Sequence, residues 1–196
     1  KKYICIVIIL LCLYDFTRIN HEIISPKRHL PHSKILQDRS YIDNYRQKDD
    51  IVNYLLSDKD KYRIFDVIGP QNKWAAFNIE NVQGYHPAKL KSYDNFISGL
   101  RSQGYQIWPP NILKLLNVKY LILPFNTFLH PDFELIKSAP QYYFGADKRF
   151  DGKLIESSLY RYNDYYPRMF FTKKILNVNK DDIYNLVYKT DFDPKE

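Results

Sequence analysis

The side chains best able to do chemistry are gathered in residues 81–96, NVQGYHPAKLKSYDNF, where Gly84, Tyr85, His86, Lys89, Lys91 and Tyr93 fall within ten positions. Lysines, a histidine and tyrosines around a helix start suit an anion such as a phosphate, or a sugar that carries one. Gly84 permits a tight turn and Pro87 suits the first helical position; a helix from there to about residue 100 would carry Leu90, Ile97 and Leu100 as an inward stripe. On that helix Lys89 and Tyr93 share a face, as do Tyr93 and Ile97. The same residues also suit a packed arrangement, with Tyr85 and Tyr93 against a sheet and the lysines in water. Spacing alone does not choose between the two.

Other constellations carry less. His29 and His32 in HLPH have loop-like metal spacing but no neighbouring Cys and no HExxH helix, so no metal site is expected. Asp49-Asp50 and Asp181-Asp182 each sit where a helix should begin, and the helix dipole explains them without catalysis. The chain has no G-x-S-x-G, no P-loop, no G-x-G-x-x-G and no Cys/His nucleophile pair, so no self-sufficient active site is expected. Its two cysteines, Cys5 and Cys12, form neither a metal motif nor a disulfide framework.

The 196 residues are enough for one domain with a sizeable core plus a tail, and 18 Tyr with 12 Phe exclude disorder over the whole length. A net charge of +7 favours an anionic partner: nucleic acid, a membrane surface or a phosphorylated substrate. The basic residues are scattered and no RRM, KH, zinc-finger or helix-turn-helix signature accompanies them, so nucleic acid is not an expected partner.

The elements that would hold the candidate site follow an apolar start. Residues 3–14, YICIVIILLCLY, are preceded by Lys1-Lys2 and followed by Asp15, Thr17 and Arg18. About a dozen residues fall short of the roughly 20 that span a bilayer. Leu13, Tyr14, Asp15 and Phe16 offer no signal-peptidase site, and Leu11 before Cys12 argues against lipoprotein cleavage. The chain opens on Lys, and the expectation is the exit half of a transmembrane helix in residues 1–16, cut by a fragment boundary. Residues 17–48 are expected to be a connector, extended over 26–36 by Pro26 and Pro31.

Residues 49–196 are expected to form the globular domain. DDIVNYLLSDKD places Ile51, Tyr54, Leu55 and Leu56 on one face behind an acidic first turn, which predicts a helix. KYRIFDVIG predicts a mostly buried strand closed by Gly69-Pro70, and NILKLLNVKYLIL a short helix feeding a central strand. DFELIKSA, KLIESSLYRYND and PRMFFTKKILNV read as three further strands. Residues 180–189 read as a closing helix with Ile183, Leu186 and Val187 apolar. The fold class this predicts is α/β (α+β): a mixed β-sheet with packed helices, preceded by part of a transmembrane helix.

In this order the segments LYDF, YRIFDV, GYHPAKLKSYDNFI, LLNVKYLI, LYRYND with YPRMFFT, and DFDP resemble the YfhO family of bacterial integral membrane proteins over nearly the whole chain. The match is most similar to the branch whose block reads close to GGYHxAKLxxYxxxI. The resemblance places family positions on Gly84, Tyr85, Lys89, Leu90 and Tyr93, on Leu116, Val118, Lys119 and Tyr120, and on Pro167 and Arg168. Gln83 stands where a second glycine is frequent, which loosens the case for a flexible turn there.

What the resemblance implies is the extracytoplasmic domain of a multi-pass cell-membrane protein of GT-C type, moving a sugar from a lipid-phosphate carrier to a cell-envelope acceptor. Gly84, Tyr85, His86, Lys89, Tyr93 and Arg168 would bind substrate. The catalytic carboxylates would lie in an upstream membrane domain, together with any divalent metal, leaving no cofactor and no activity to this segment. Its partners would be that upstream domain, the membrane, and the lipid-linked sugar or envelope polymer. The alternative is a non-enzymatic, membrane-tethered module that binds an envelope component.

Overall fold

The apolar start is helical, and the helix α1 runs over Lys2–Ile24, eight residues past the boundary at Phe16 that hydropathy suggests. Thr17 carries it onward: its Oγ1 donates to the carbonyls of Leu13 and Tyr14 at 2.9 Å each, so a polar side chain is satisfied within the helix. At 1.5 Å per residue α1 is roughly 35 Å long. Its stretch Tyr3–His21 is long and apolar enough to cross a membrane. Cys5 and Cys12 lie on it as free, exposed thiols.

The computed structural model describes residues 2–24, 39–68, 72–84, 90–104, 107–124, 131–143, 152–179, 182–189, 191–193 and 195. The chain divides into two units, Lys1–Tyr45 and Arg46–Glu196. The first holds α1 and a short helix α2 (Arg39–Tyr45), which falls inside the expected connector. The extended stretch expected over 26–36 lies outside the described residues.

In the second unit the helix expected after Asp49 is α3 (Asp50–Ser57). Asp49 caps it, accepting from the Val52 amide at 2.8 Å, and Ile51, Val52 and Leu55 are buried. The other Asp49 carboxylate oxygen accepts from Lys73 Nζ at 2.9 Å and Gln141 Nε2 at 2.8 Å, so one side chain ties three segments together.

The described strands are β1 (Arg63–Asp66), β2 (Glu80–Asn81), β3 (Val118–Pro124), β4 (Phe133–Tyr142) and β5 (Leu154–Tyr162). They form one mixed sheet in the order β2-β1-β3-β5-β4. β1 runs parallel to β2 and β3, while β5 is antiparallel to β3 and β4. The unbroken apolar run of β3 has its explanation here, because a central strand covered on both faces buries every side chain from Val118 to Leu123. A short helix α5 (Pro110–Leu115) feeds it through Asn117, whose φ of 59° is the left-handed turn asparagine tolerates.

Alternation along the strands divides the core in two. Ile64, Tyr120, Ile122, Ile155 and Leu159 face α3 and the 3₁₀ turn Lys73–Phe77. Phe65, Leu121, Leu123, Tyr160 and Tyr162 face α5 and the helix α4 (Lys91–Ser102). The predicted mixed sheet with packed helices is therefore the observed fold.

Three local expectations are corrected. α4 begins at Lys91, and Leu90, expected in the inward stripe, is its N-cap and 76% exposed, whereas Ile97 and Leu100 are buried. PRMFFTKKILNV forms no strand: Pro167 lacks a donor, and Met169, Phe170 and Phe171 in a row break the period of two. The closing helix α6 is only Asp182–Val187 with Ile183 exposed, and Tyr188 just beyond it enters the core instead.

Candidate functional site

Arg63 opens β1 on the same side as Phe65, facing α4, and its register partner on β2 is Glu80. That pairing sets Arg63 Nε 3.3 Å from Glu80 Oε2. Arg168, from the chain after β5, brings Nη1 to 2.7 Å from the same oxygen. Burial alone would raise the Glu80 carboxyl, but the guanidiniums of Arg168 and Arg63 outweigh it and hold it below the usual glutamate range.

Arg63 and Glu80 of this triad border a cleft of about 690 Å³, within the range of small-ligand sites. Arg63, Glu80 and Asn81 line it from the sheet edge, Gly84 from the loop after β2, and Tyr93 and Arg101 from α4. The Tyr93 hydroxyl donates to the Val82 carbonyl at 2.7 Å, and burial pushes the phenol up. Asn81 Oδ1 accepts from the Gln83 amide at 3.1 Å, which fixes the turn leading to Gly84.

Of the residues the sequence singles out, Gly84 and Tyr93 line the cleft and Arg168 reaches its wall through Glu80. Tyr85, His86 and Lys89 lie outside the described residues, as does Pro87. His29 and His32 do too. At Gly84 φ is not in the left-handed region, and an added Cβ would meet nothing within 4 Å. Tyr93 combines the two readings left open by spacing, since its hydroxyl serves the fold while its residue borders the cleft.

Arg63, Glu80, Asn81 and Arg101 escape sequence reasoning. Glu80 lies 17 residues from Arg63 and 88 from Arg168, so no local spacing announces the triad. Register between β1 and β2 pairs Arg63 with Glu80, and the chain after β5 brings in Arg168.

A second charged cluster surrounds Lys119 on β3. Its Nζ lies 2.6 Å from both Asp58 Oδ2 and Asp60 Oδ2. The rings of Tyr62, Tyr120 and Tyr165 enclose it, and Tyr120 donates to Asp58 at 2.7 Å. Burial would lower the Lys119 ammonium, but the two carboxylates raise it well above the usual lysine value. Burial would likewise raise Asp58, and Lys119 keeps it low. Each charge faces its complement, so the cluster anchors the α3 C-cap, Asp58, to β3.

Compared with protein-family models, curated proteins and solved structures, the chain matches none.

Proposed function

We propose that this chain is a membrane-anchored domain with its globular part outside the cytoplasm, in a multi-pass protein resembling the YfhO family. On this reading it holds the sugar or phosphate portion of a lipid-linked donor, or its envelope acceptor, while glycosyl transfer takes place on upstream membrane helices. The observation that carries the reading is that Gly84 and Tyr93, from one stretch the resemblance marks, line a cleft whose wall residue Glu80 pairs with Arg168, from another. The membrane-length helix α1 supports the anchoring. Glu80 supports binding over chemistry, because a carboxylate kept ionised by two arginines is a poor general acid near neutral pH.

Binding is tested on the chain in detergent micelles with a hexose 1-phosphate as probe, read by NMR line broadening of the sugar protons. Arg101→Ala removes an exposed cleft cation and should weaken binding by about fivefold or more, the scale of one charged hydrogen bond. Tyr93→Phe should cost roughly 1 kcal/mol of stability through the lost bond to Val82. Equal broadening for the parent chain and Arg101→Ala would end the reading of the cleft. For the multi-pass assignment, the upstream gene sequence should encode about ten or more apolar spans of roughly 20 residues with an acidic pair in the first outer loop. A single anchor would favour the envelope-binding module.

A further inference from the structure

Residues 167–178, PRMFFTKKILNV, follow β5 without forming helix or strand, and most of their side chains point into solvent. Phe171 is 99% exposed, Ile175 94%, Met169 86% and Leu176 61%. The segment is held over its first half. The Tyr166 ring just before it touches Phe170 at 5.0 Å, Arg168 pairs with Glu80, and the Lys173 amide donates to the Lys195 carbonyl at 3.4 Å. A run of exposed phenylalanine, methionine, isoleucine and leucine, tethered at its start, marks an interaction surface.

Its chemistry narrows the occupant. Arg168, Lys173 and Lys174 are its charged residues and none is acidic, so the covering surface is negative. Two apolar clusters, residues 169–171 and 175–176, flank the lysine pair. An added β-strand wants alternation of period two, which this order lacks. An anionic bilayer wants apolar side chains at the acyl boundary with lysine stems reaching back to phosphates, which this order supplies. α1, in the same chain, is long and apolar enough to place the domain at a membrane.

We infer that residues 167–178 dock the domain onto the surface of an anionic bilayer, Met169, Phe171, Ile175 and Leu176 entering the interface and Lys173 and Lys174 meeting lipid phosphates. The inference rests on the membrane attachment proposed above and is independent of what the cleft binds.

The test uses the full 196-residue chain in lipid nanodiscs, with Phe171→Trp as reporter and brominated lipid as quencher. The native Trp74 and Trp108 are buried, and the parent chain supplies their background. In discs of phosphatidylglycerol and phosphatidylcholine the reporter should be quenched about twofold or more, and Lys173→Glu with Lys174→Glu should remove most of that quenching. Labelling of Cys5 and Cys12 by a water-soluble maleimide separately reports insertion of α1 in the same sample. Protected cysteines with an unquenched, iodide-accessible reporter would overturn the docking while leaving the anchor intact. Exposed cysteines with the same reporter result would overturn both. Iodide shielding that grows with protein copies per disc and ignores lipid charge would assign the segment to chain–chain contact and refute the inference.

Discussion

Removing the Asp49 carboxylate should unlock the second unit, and the structure sets the scale. Lys73 is buried with a side-chain exposure of 4%, and Asp49 at 14% is its ion-pair partner at 2.9 Å. Asp49→Ala leaves that ammonium unpaired inside the protein, a loss of about 3–5 kcal/mol in buried pairs. It also strips the cap from α3, typically about 1 kcal/mol, and leaves the Gln141 amide without its acceptor. Taking roughly 4–6 kcal/mol for the charge and the cap together, and about 2–4 °C per kcal/mol for a unit of this size, the melting temperature should fall by roughly 8–24 °C. Trp74, adjacent to Lys73 and buried, supplies the fluorescence signal. Asp49→Ala/Lys73→Met should be more stable than Asp49→Ala alone, because the second change removes the stranded charge. A double variant no better than the single one would refute the argument that an unpaired cation dominates the loss.

Two glycines should behave oppositely: Gly84→Ala should leave the melting temperature within about 1 °C, since its Cβ enters open space, whereas Gly99→Ala should cost roughly 1–3 kcal/mol by driving a methyl into Tyr188, which donates to the Phe96 carbonyl at 2.6 Å. The Lys119 cluster makes a pH prediction. Asp58 sits below its ordinary 3.8, so its contribution is present above that value and lost as pH falls through the lower folded value. Lys119, raised in the fold, contributes fully below its ordinary 10.5 and loses that contribution only as pH rises beyond it. Melting curves should therefore show Lys119→Met more destabilised near pH 7 than near pH 3, where protonation neutralises a half-buried Asp58 that has lost its partner. A gap that stays constant across that window would show the cluster to be energetically idle.

What could be read from the sequence was written in short-range pattern. Asp49 before an apolar face is a cap and a helix within a few residues, and residues 118–123 are a buried strand by composition alone. The same local reading failed where a partner was needed. PRMFFTKKILNV has the apolar content of a strand, but backbone pairing also needs a neighbour and a register, and nothing in the segment supplies either. Leu90 falls on the helical stripe only if the helix starts at Pro87, and a start at Lys91 turns it out to solvent. The cleft was half visible for the same reason. Gly84 and Tyr93 lie nine positions apart, whereas Arg63, Glu80 and Arg168 meet only after β1 and β2 align.

The net charge of +7 could not choose a partner from composition, yet its placement narrows the choice. Some cations are paired with acids: Lys73 with Asp49, Lys119 with Asp58 and Asp60, Lys114 with Asp164, Lys137 with Asp50 and Arg161 with Glu134. Two arginines converge on the single carboxylate of Glu80, so that triad carries excess positive charge at the cleft wall. Lys173 and Lys174 stand in a stretch without any acid. Cations thus meet both a ligand-sized cleft, through Arg63 and Arg101, and an exposed apolar segment, through Lys173 and Lys174, while Arg168 stands in that segment and pairs with Glu80 of the cleft. A nucleic-acid surface would need cations spread along a groove or stripe to follow a phosphate backbone. On the reading proposed above, the cleft would meet a small anionic group and the lysine pair a charged lipid surface.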